Sequence, residues 1–368
     1  MEPIRVLHVV GRMGPCGLET LIMNWYRKMD RQKVQFDFLV HHKAVDFYEE
    51  EIAKLGGKIY RSSVMDDKNF IRYRRFLKNF FREHPEYRIV HGHHMGLGVF
   101  YFKAAKKAGV PVRIAHSHNS SYSKTLRGWA KNLLTKKHGK YANYHFACSK
   151  IAGDYAFGPH DNYKVINNGI DTEIFRFRQG SRDRVRQELA VENKTVIIHV
   201  GRFYDQKNHV FLIDIFRAFC DRHKDAVLLL VGEGPLEESI RKKVKELGLE
   251  DAVQFLGVRD DVQNLLCAAD LFVLPSLYEG LSIVTIEAQA MGLPEVMTDN
   301  VPEEARLTDC IIRRSLSDPA SEWARSMEEL LAVAPRTREE AWKTVKEKGF
   351  DSDMVAQEIQ QFYLEHWQ

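Results

Sequence analysis

Short, mostly apolar runs alternate along this chain with longer charged stretches whose apolar positions recur at helical spacing. The runs at residues 4–10, 87–90 and 112–115, and again at 196–200, 226–231, 253–256 and 271–274, are rich in β-branched residues and too short for stable helices, which predicts buried strands. Between them, residues 19–28 and 283–291 read as helices, and residues 352–367 form a last amphipathic helix with Ala356, Ile359, Phe362 and Tyr363 on its apolar side. Strand and helix in strict alternation predict an α/β fold with parallel sheets. A chain of 368 residues with 44% hydrophobic positions can bury two cores, so two domains are expected.

The turns after the predicted strands carry the chemistry. Leu271-Phe272-Val273-Leu274-Pro275 is followed by Glu279-Gly280-Leu281-Ser282-Ile283, and Glu287 lies eight positions after Glu279. Ligands bind beyond the carboxyl ends of strands in an α/β sheet. Gly280 permits a close backbone approach, Ser282 reads as the helix cap, and the first-turn amides from Leu281 to Ile283 would face an anion. A carboxylate beside a phosphate is repelled unless its oxygens accept bonds from neutral hydroxyls, so Glu279 fits a sugar attached to that phosphate. Glu287, roughly 8–12 Å further along the helix, reaches a second polyhydroxyl group such as a ribose. The plain alternative is that both are ordinary dipole partners on a solvated surface.

Three other strand ends argue against that alternative. Residues 196–200 lead into Gly201-Arg202 and then Lys207, two cations of the kind a diphosphate leaving group requires as its charge grows. The run 226–231 ends in Gly232-Glu233-Gly234-Pro235, and 253–256 ends in Gly257-Val258-Arg259.

This ordered series, completed by Ala288-Gln289-Ala290-Met291-Gly292-Leu293-Pro294, resembles the retaining family 4 glycosyltransferases of the GT-B fold, in particular those of bacterial capsule and exopolysaccharide assembly. The resemblance covers essentially the whole chain. It implies two Rossmann-like, doubly wound parallel-sheet domains facing across a cleft: residues 1–178 on the acceptor side and residues 179–350 for the donor, with residues 351–368 as a helix crossing back to the first domain. The polar stretch 179–183 would be the linker. In the donor domain the resemblance implies that Gly201, Arg202 and Lys207 hold the diphosphate, Glu279 contacts the transferred sugar, Glu287 holds the ribose, and Gly234 and Val258 flank the base. In the first domain it implies that the loop carrying Gly14 and Gly17 approaches donor and acceptor, and that a histidine in Ala115-His116-Ser117-His118 lies near the acceptor and the anomeric carbon. Whether His116 or His118 points inward is left open by the pattern. The implied reaction moves a sugar from a nucleoside diphosphate sugar, expected to be UDP-linked, to a hydroxyl of a lipid-linked surface glycan. It proceeds with retention and without metal or other cofactor. A glycosyltransferase acting on a soluble small-molecule or sugar-phosphate acceptor and a catalytically silent nucleotide-sugar-binding protein are the alternatives.

The remaining features test this reading. Gly11, Gly14 and Gly17 with Asp37 mimic a dinucleotide fingerprint, but the spacing G-x-x-G-x-x-G is wrong for one. His91, His93 and His94 with His116 and His118 invite a zinc site, yet no cysteine or carboxylate completes a familiar ligand set. Residues 71–82 carry five cations and no acid, and residues 124–140 carry six and no acid, so contact with an anionic membrane is expected, against the plain reading of core-facing helices with basic backs. A net charge of +4 with no recognition module argues against nucleic acid. Five unpaired-looking cysteines, no signal peptide and no apolar run of membrane-spanning length point to the cytoplasm, on the inner face of the membrane. One residue departs from the family pattern: Glu295 stands where an apolar strand is expected, so either a neighbour satisfies it, the strand begins one residue late, or the domain is locally weakened.

Overall fold

The computed structural model describes residues 2–118, 140–333 and 338–367; of the second basic stretch, 124–140, all but Lys140 lies outside them. The chain divides into two compact units, one of Met1–Gly169 with Asp351–Gln368 and one of Ile170–Phe350.

In the first unit seven parallel strands run β1 (Ile4–Val9), β2 (Val34–Val40), β3 (Ile59–Arg61), β4 (Ile89–Gly92), β5 (Val112–Ser117), β6 (Tyr144–Ala147) and β7 (Lys164–Val165). Their order in the sheet is β3-β2-β1-β4-β5-β6-β7. The second unit holds β8 (Thr195–Val200), β9 (Ala226–Val231), β10 (Val253–Gly257), β11 (Leu271–Leu274), β12 (Glu295–Thr298) and β13 (Ile311–Arg314), in the order β10-β9-β8-β11-β12-β13. Both are doubly wound sheets. The strand order reverses between β1 and β4 in one and between β8 and β11 in the other, and such switch points open a crevice at the strands' carboxyl ends.

Several boundaries differ from expectation. The first unit ends at Gly169, not near Arg178, because the Ile170 amide already donates to Phe350 O at 2.9 Å within the second unit. The expected linker 179–183 is the start of a helix, Gln179–Glu188. Its polar pattern hides two arginines that dock: Arg182 donates to Ala268 O (3.0 Å) and Ala269 O (2.9 Å), and Arg186 to Ala268 O (2.8 Å). β4 and β5 each run on to include a histidine, His91 and His116, that the sequence placed in the following turn. The last helix, Ser352–His366, packs in the first unit, where Asp351 caps it by accepting from the Asp353 and Met354 amides. Buried Tyr363 on that helix meets His91.

The helix Phe70–Glu83 turns Tyr73, Leu77, Phe80 and Phe81 into the core and leaves Arg72, Arg74, Arg75, Lys78 and Arg82 exposed. Asp37 is buried and accepts from Arg5 Nε and Nη2 (2.6 Å each), the Lys58 amide (2.6 Å) and Tyr87 OH (2.7 Å). It is spent on structure, which removes the dinucleotide reading.

Glu295 is the first residue of β12, is fully buried, and neither carboxylate oxygen has a hydrogen-bond partner. The strand therefore does not begin late, and among the described residues no neighbour satisfies the group. Desolvation raises its carboxyl well above the ordinary 4.5. The folded chain thus holds a proton that the unfolded chain releases above about pH 4.5. The associated stability is complete below that pH and is lost as pH rises toward the folded value, by about 1.4 kcal/mol per pH unit. Glu295→Gln removes this loss, so the variant's advantage over the parent in urea unfolding should grow from pH 5 to pH 7. A constant difference across that range would refute the assignment.

Candidate active site

The second unit builds its site at the β8/β11 switch point. Gly201 and Arg202 leave β8, a short 3-10 turn holds Asp205–Lys207, and Asn208 adopts a left-handed φ of 53° before the helix His209–Cys220. Three hydrogen bonds tie this turn to the loop after β11: Asn208 Nδ2 to Pro275 O (3.1 Å), Gln206 Nε2 to Tyr278 O (3.0 Å) and the Leu277 amide to Gln206 O (2.8 Å). Lys207 is thereby set against Glu279, with Nζ 2.7 Å from Oε1. Both side chains are largely buried, at 17% and 8% exposure, so this pair is only weakly screened by solvent. The expectation from sequence was a separate partner for each of these residues; in the structure they pair with each other.

Arg202 differs from Lys207. It is exposed, with its guanidinium 5.1 Å from the Tyr204 ring centroid, and among the described residues no carboxylate lies within ion-pair distance. The glycines of the β9 turn make room for this loop. A Cβ on Gly232, at φ +134°, would stand 2.3 Å from Gly201 O, and one on Gly234 would stand 2.6 Å from Phe203 O. Gly234 is thus fixed first by backbone approach. Val258 follows β10, two strands out from β8, and is exposed.

Ser282 occupies the cap position of the helix Ile283–Ala290, but its hydroxyl makes no cap hydrogen bond. The expected side-chain cap is absent, and the amides of the first turn keep their donor capacity for an anion. Gly280 and Leu281 lead into that turn, with Leu281 buried. Further along, half-buried Glu287 is desolvated and its carboxyl is pushed up to about 8. A carboxyl near 8 is mostly protonated at neutral pH.

Two histidines on this side escaped the sequence reading. His199 in β8 is buried, its Nδ1 2.8 Å from Val273 O, and His209 stacks on Phe203 at 4.1 Å with its pKa lowered to about 4 by burial. Gln206 and Asn208, which stitch the two loops, were also missed. All four act by contacts across elements that no local pattern announces.

The first unit gathers five histidines at the β1/β4 switch point and the end of β5. Parallel register sets His8 opposite His91, a partner the sequence did not single out. The His116 and His118 rings share one face, 4.1 Å apart. His116 is fully buried, its Nδ1 3.1 Å from His91 Nε2, whereas His118 keeps partial exposure. His118 is therefore the one that faces outward. Burial lowers His8 and His118 to about 3 and holds His91, His93 and His116 well below 6.5, so all five imidazoles are neutral. Two trios, His8 with His91 and His93, and His93 with His116 and His118, bring ligand nitrogens within 4.8 Å of one another and are the groups that could hold a metal. Gly14 is buried in the β1 loop beneath the Arg12–Asp46 ion pair (2.6 Å), and Gly17 opens the helix Gly17–Lys28 two residues earlier than expected.

The comparisons agree with this layout. Residues 15–174 match the family model described as Glycosyltransferase Family 4, and residues 194–332 match Glycosyl transferases group 1. A Bacillus subtilis (strain 168) chain named as the glycosyltransferase EpsF is 36% identical over 358 residues, covering 95% of this chain and 93% of that one. An Escherichia coli UDP-Gal:alpha-D-GlcNAc-diphosphoundecaprenol alpha-1,3-galactosyltransferase is 28% identical over 249 residues, 65% of this chain and 63% of its own. Among solved structures, Anabaena HepE in complex with UDP-glucose superposes with a TM-score of 0.80 at 19% identity, covering 98% of this chain and 99% of that one. WaaG, a glycosyltransferase involved in lipopolysaccharide biosynthesis, gives 0.76 at 16% identity over 97% and 99%. Two parallel-sheet units with charged switch-point loops, together with this overlap along nearly the whole length, establish that the chain belongs to the family 4 glycosyltransferases and has the GT-B fold.

Proposed function

We propose that this glycosyltransferase moves a hexose from a UDP-sugar to a hydroxyl of a lipid-linked, cell-surface glycan, with retention of configuration and with no metal. The observation that carries the reading is the Lys207–Glu279 pair, together with exposed Arg202, which has no carboxylate partner among the described residues, and the helix Ile283–Ala290, which has no side-chain cap. Those cations and amides form a seat for a diphosphate. As the diphosphate takes Lys207, the Glu279 carboxylate gives up that ion pair and turns to the hydroxyls of the sugar. The acceptor oxygen then bonds to the anomeric carbon as the bond from that carbon to the phosphate oxygen breaks. The electron pair leaves with the diphosphate, and the acceptor proton passes to a leaving phosphate oxygen on the same face. Arg202, Lys207 and the amides neutralise the growing charge, the work a metal would otherwise do. The relatives support the donor and acceptor classes: HepE is named with UDP-glucose, and the Escherichia coli enzyme with a diphosphoundecaprenol-linked sugar.

Contact with the cytoplasmic face of an anionic membrane belongs to the same proposal. Among the described residues no helix is long and apolar enough to cross a membrane. Phe70 (46% exposed) and Ile71 (79%) sit at the start of a helix whose solvent side carries Arg72, Arg74, Arg75, Lys78 and Arg82. Sedimentation with phosphatidylglycerol vesicles should drop sharply in Arg74→Glu/Arg75→Glu and at high salt; unchanged sedimentation excludes this helix as the contact.

Arg202→Ala should leave unfolding stability within about 0.5 kcal/mol of the parent while lowering turnover by roughly 100-fold or more. Lys207→Ala should cost turnover and also lower unfolding stability more than Arg202→Ala does, because it breaks a largely buried ion pair. Release of UDP from a panel of UDP-hexoses with a polyprenyl-diphosphate sugar acceptor reads the first effect, and urea unfolding the second. Near-parental turnover in both variants sinks the donor-seat assignment, and donor binding without any UDP release marks a silent binding protein.

Glu287 gives a further check. A ribose diol donating two hydrogen bonds favours the ionised carboxylate, so a group near 8 in the ligand-free chain should lose its proton when UDP binds at pH 7. Titration calorimetry in buffers of different ionisation enthalpy should show close to one proton released per UDP bound, and none in Glu287→Gln. Proton-neutral binding by the parent would remove Glu287 from the ribose.

A further inference from the structure

The five histidines of the first unit fall into two hydrogen-bonded chains. His8 Nδ1 lies 3.0 Å from His93 Nε2, and His93 Nδ1 lies 2.9 Å from His118 Nε2. Separately, Tyr363 OH lies 2.6 Å from His91 Nδ1, and His91 Nε2 lies 3.1 Å from His116 Nδ1. Two nitrogens bound to one tetrahedral zinc at about 2.0–2.1 Å would stand roughly 3.3 Å apart. The His8–His93 and His93–His118 separations are shorter, as direct hydrogen bonds require.

A neutral imidazole has one donor and one acceptor, so a chain of such rings has a single direction throughout. The far end of the first chain sets that direction. His8 is fully buried and its Nε2 has no hydrogen-bond partner among the described residues. A buried N–H without an acceptor is the rarer and costlier orphan, so Nε2 carries the lone pair and the proton sits on Nδ1. His8 Nδ1–H then donates to His93 Nε2, and His93 Nδ1–H donates to His118 Nε2. The remaining His118 proton is on Nδ1, which makes no hydrogen bond to a described residue.

We propose that His93, backed by His8, is a positioning residue that locks His118 in the Nδ1–H tautomer, so that His118 meets substrate as a hydrogen-bond donor and not as a base. This rests on the glycosyl-transfer reading, and it assigns His118 to binding a lone pair of the sugar or acceptor while the leaving diphosphate takes the proton. Trp25 stacks on the His116 ring (5.8 Å, 11°) and on His91 (6.3 Å, 18°), which holds the second chain flat beside the first.

The tautomer is read by two-bond nitrogen–proton correlation spectra of 15N-histidine-labelled full-length protein without substrate. Wild type should show His118 protonated at Nδ1. His93→Asn, whose amide can still donate to His118 Nε2, should retain that tautomer and most of the activity. His93→Asp, whose carboxylate can only accept, should move the His118 proton to Nε2. In UDP-release assays His93→Phe should lower kcat by about 10–100-fold with little change in the donor KM, and should cost nothing further in a His118→Ala background. An Nε2–H tautomer in the wild type, additive losses in the double variant, or one equivalent of tightly bound zinc whose removal abolishes activity each overturns the proposal. Failure of the wild type to turn over any UDP-sugar would instead fail the glycosyl-transfer reading, and the tautomer spectra separate the two outcomes.

Discussion

Parallel strand pairing is the constraint on which both units depend, because it sends every strand's carboxyl end to one edge of its sheet. In the second unit the β8–β9 and β8–β11 registers bring Gly201 and Arg202, the Gly232–Gly234 turn and the Glu279 loop to the same edge. In the first unit the β1–β4 register sets His8 against His91, and β4–β5 pairing brings His116 alongside. Residues more than eighty positions apart, such as His8 and His93, thus come within hydrogen-bond distance without any long-range motif. Each site lies where the strand order reverses, since only there do neighbouring crossovers leave to opposite faces and open the edge.

The two edges solve opposite electrostatic problems. The second unit gathers charge at its edge: Lys207 is neutralised by Glu279, Arg202 is exposed over Tyr204, and the helix Ile283–Ala290 has no side-chain cap. The counter-ion protects stability, since Lys207 left buried alone would carry an unscreened charge. At the first unit's switch point the buried titratable side chains described are neutral imidazoles. Packing five imidazoles against Trp25, Phe36 and Phe146 strips them of water and proton alike, so their order comes from directed hydrogen bonds and ring stacking. Glu295 shows what happens without such an arrangement: a buried carboxyl with no partner survives in β12 only by staying protonated.

Most of the fold was legible from period and punctuation. Strands β8 to β11, the helix Ile283–Ala290 and the last helix were marked by apolar runs, Gly or Pro stops and helical spacing, and they lie within a few residues of their predicted ends, whereas β13 carried no signal that was read. The failures share one cause. The stretch after Gln179 looked like a linker because its arginines are polar, and it is a helix because those arginines cap the carbonyls of Ala268 and Ala269. Ser282 looked like a cap from its identity alone, yet its hydroxyl is not used as one.

What the sequence determined by itself was the alternation that makes two doubly wound sheets, and the charged or glycine-bearing turns that mark Arg202, Lys207, Glu279 and Glu287 as a group. Those signals are local, carried by residues close in the chain. What only the tertiary structure decided was pairing: Lys207 with Glu279, Arg5 with Asp37, His93 between His8 and His118, and Tyr363 on His91. A side chain's partner, its tautomer and its charge depend on which distant atoms displace water around it, and the order of residues along the chain does not contain that information until the strands are in register.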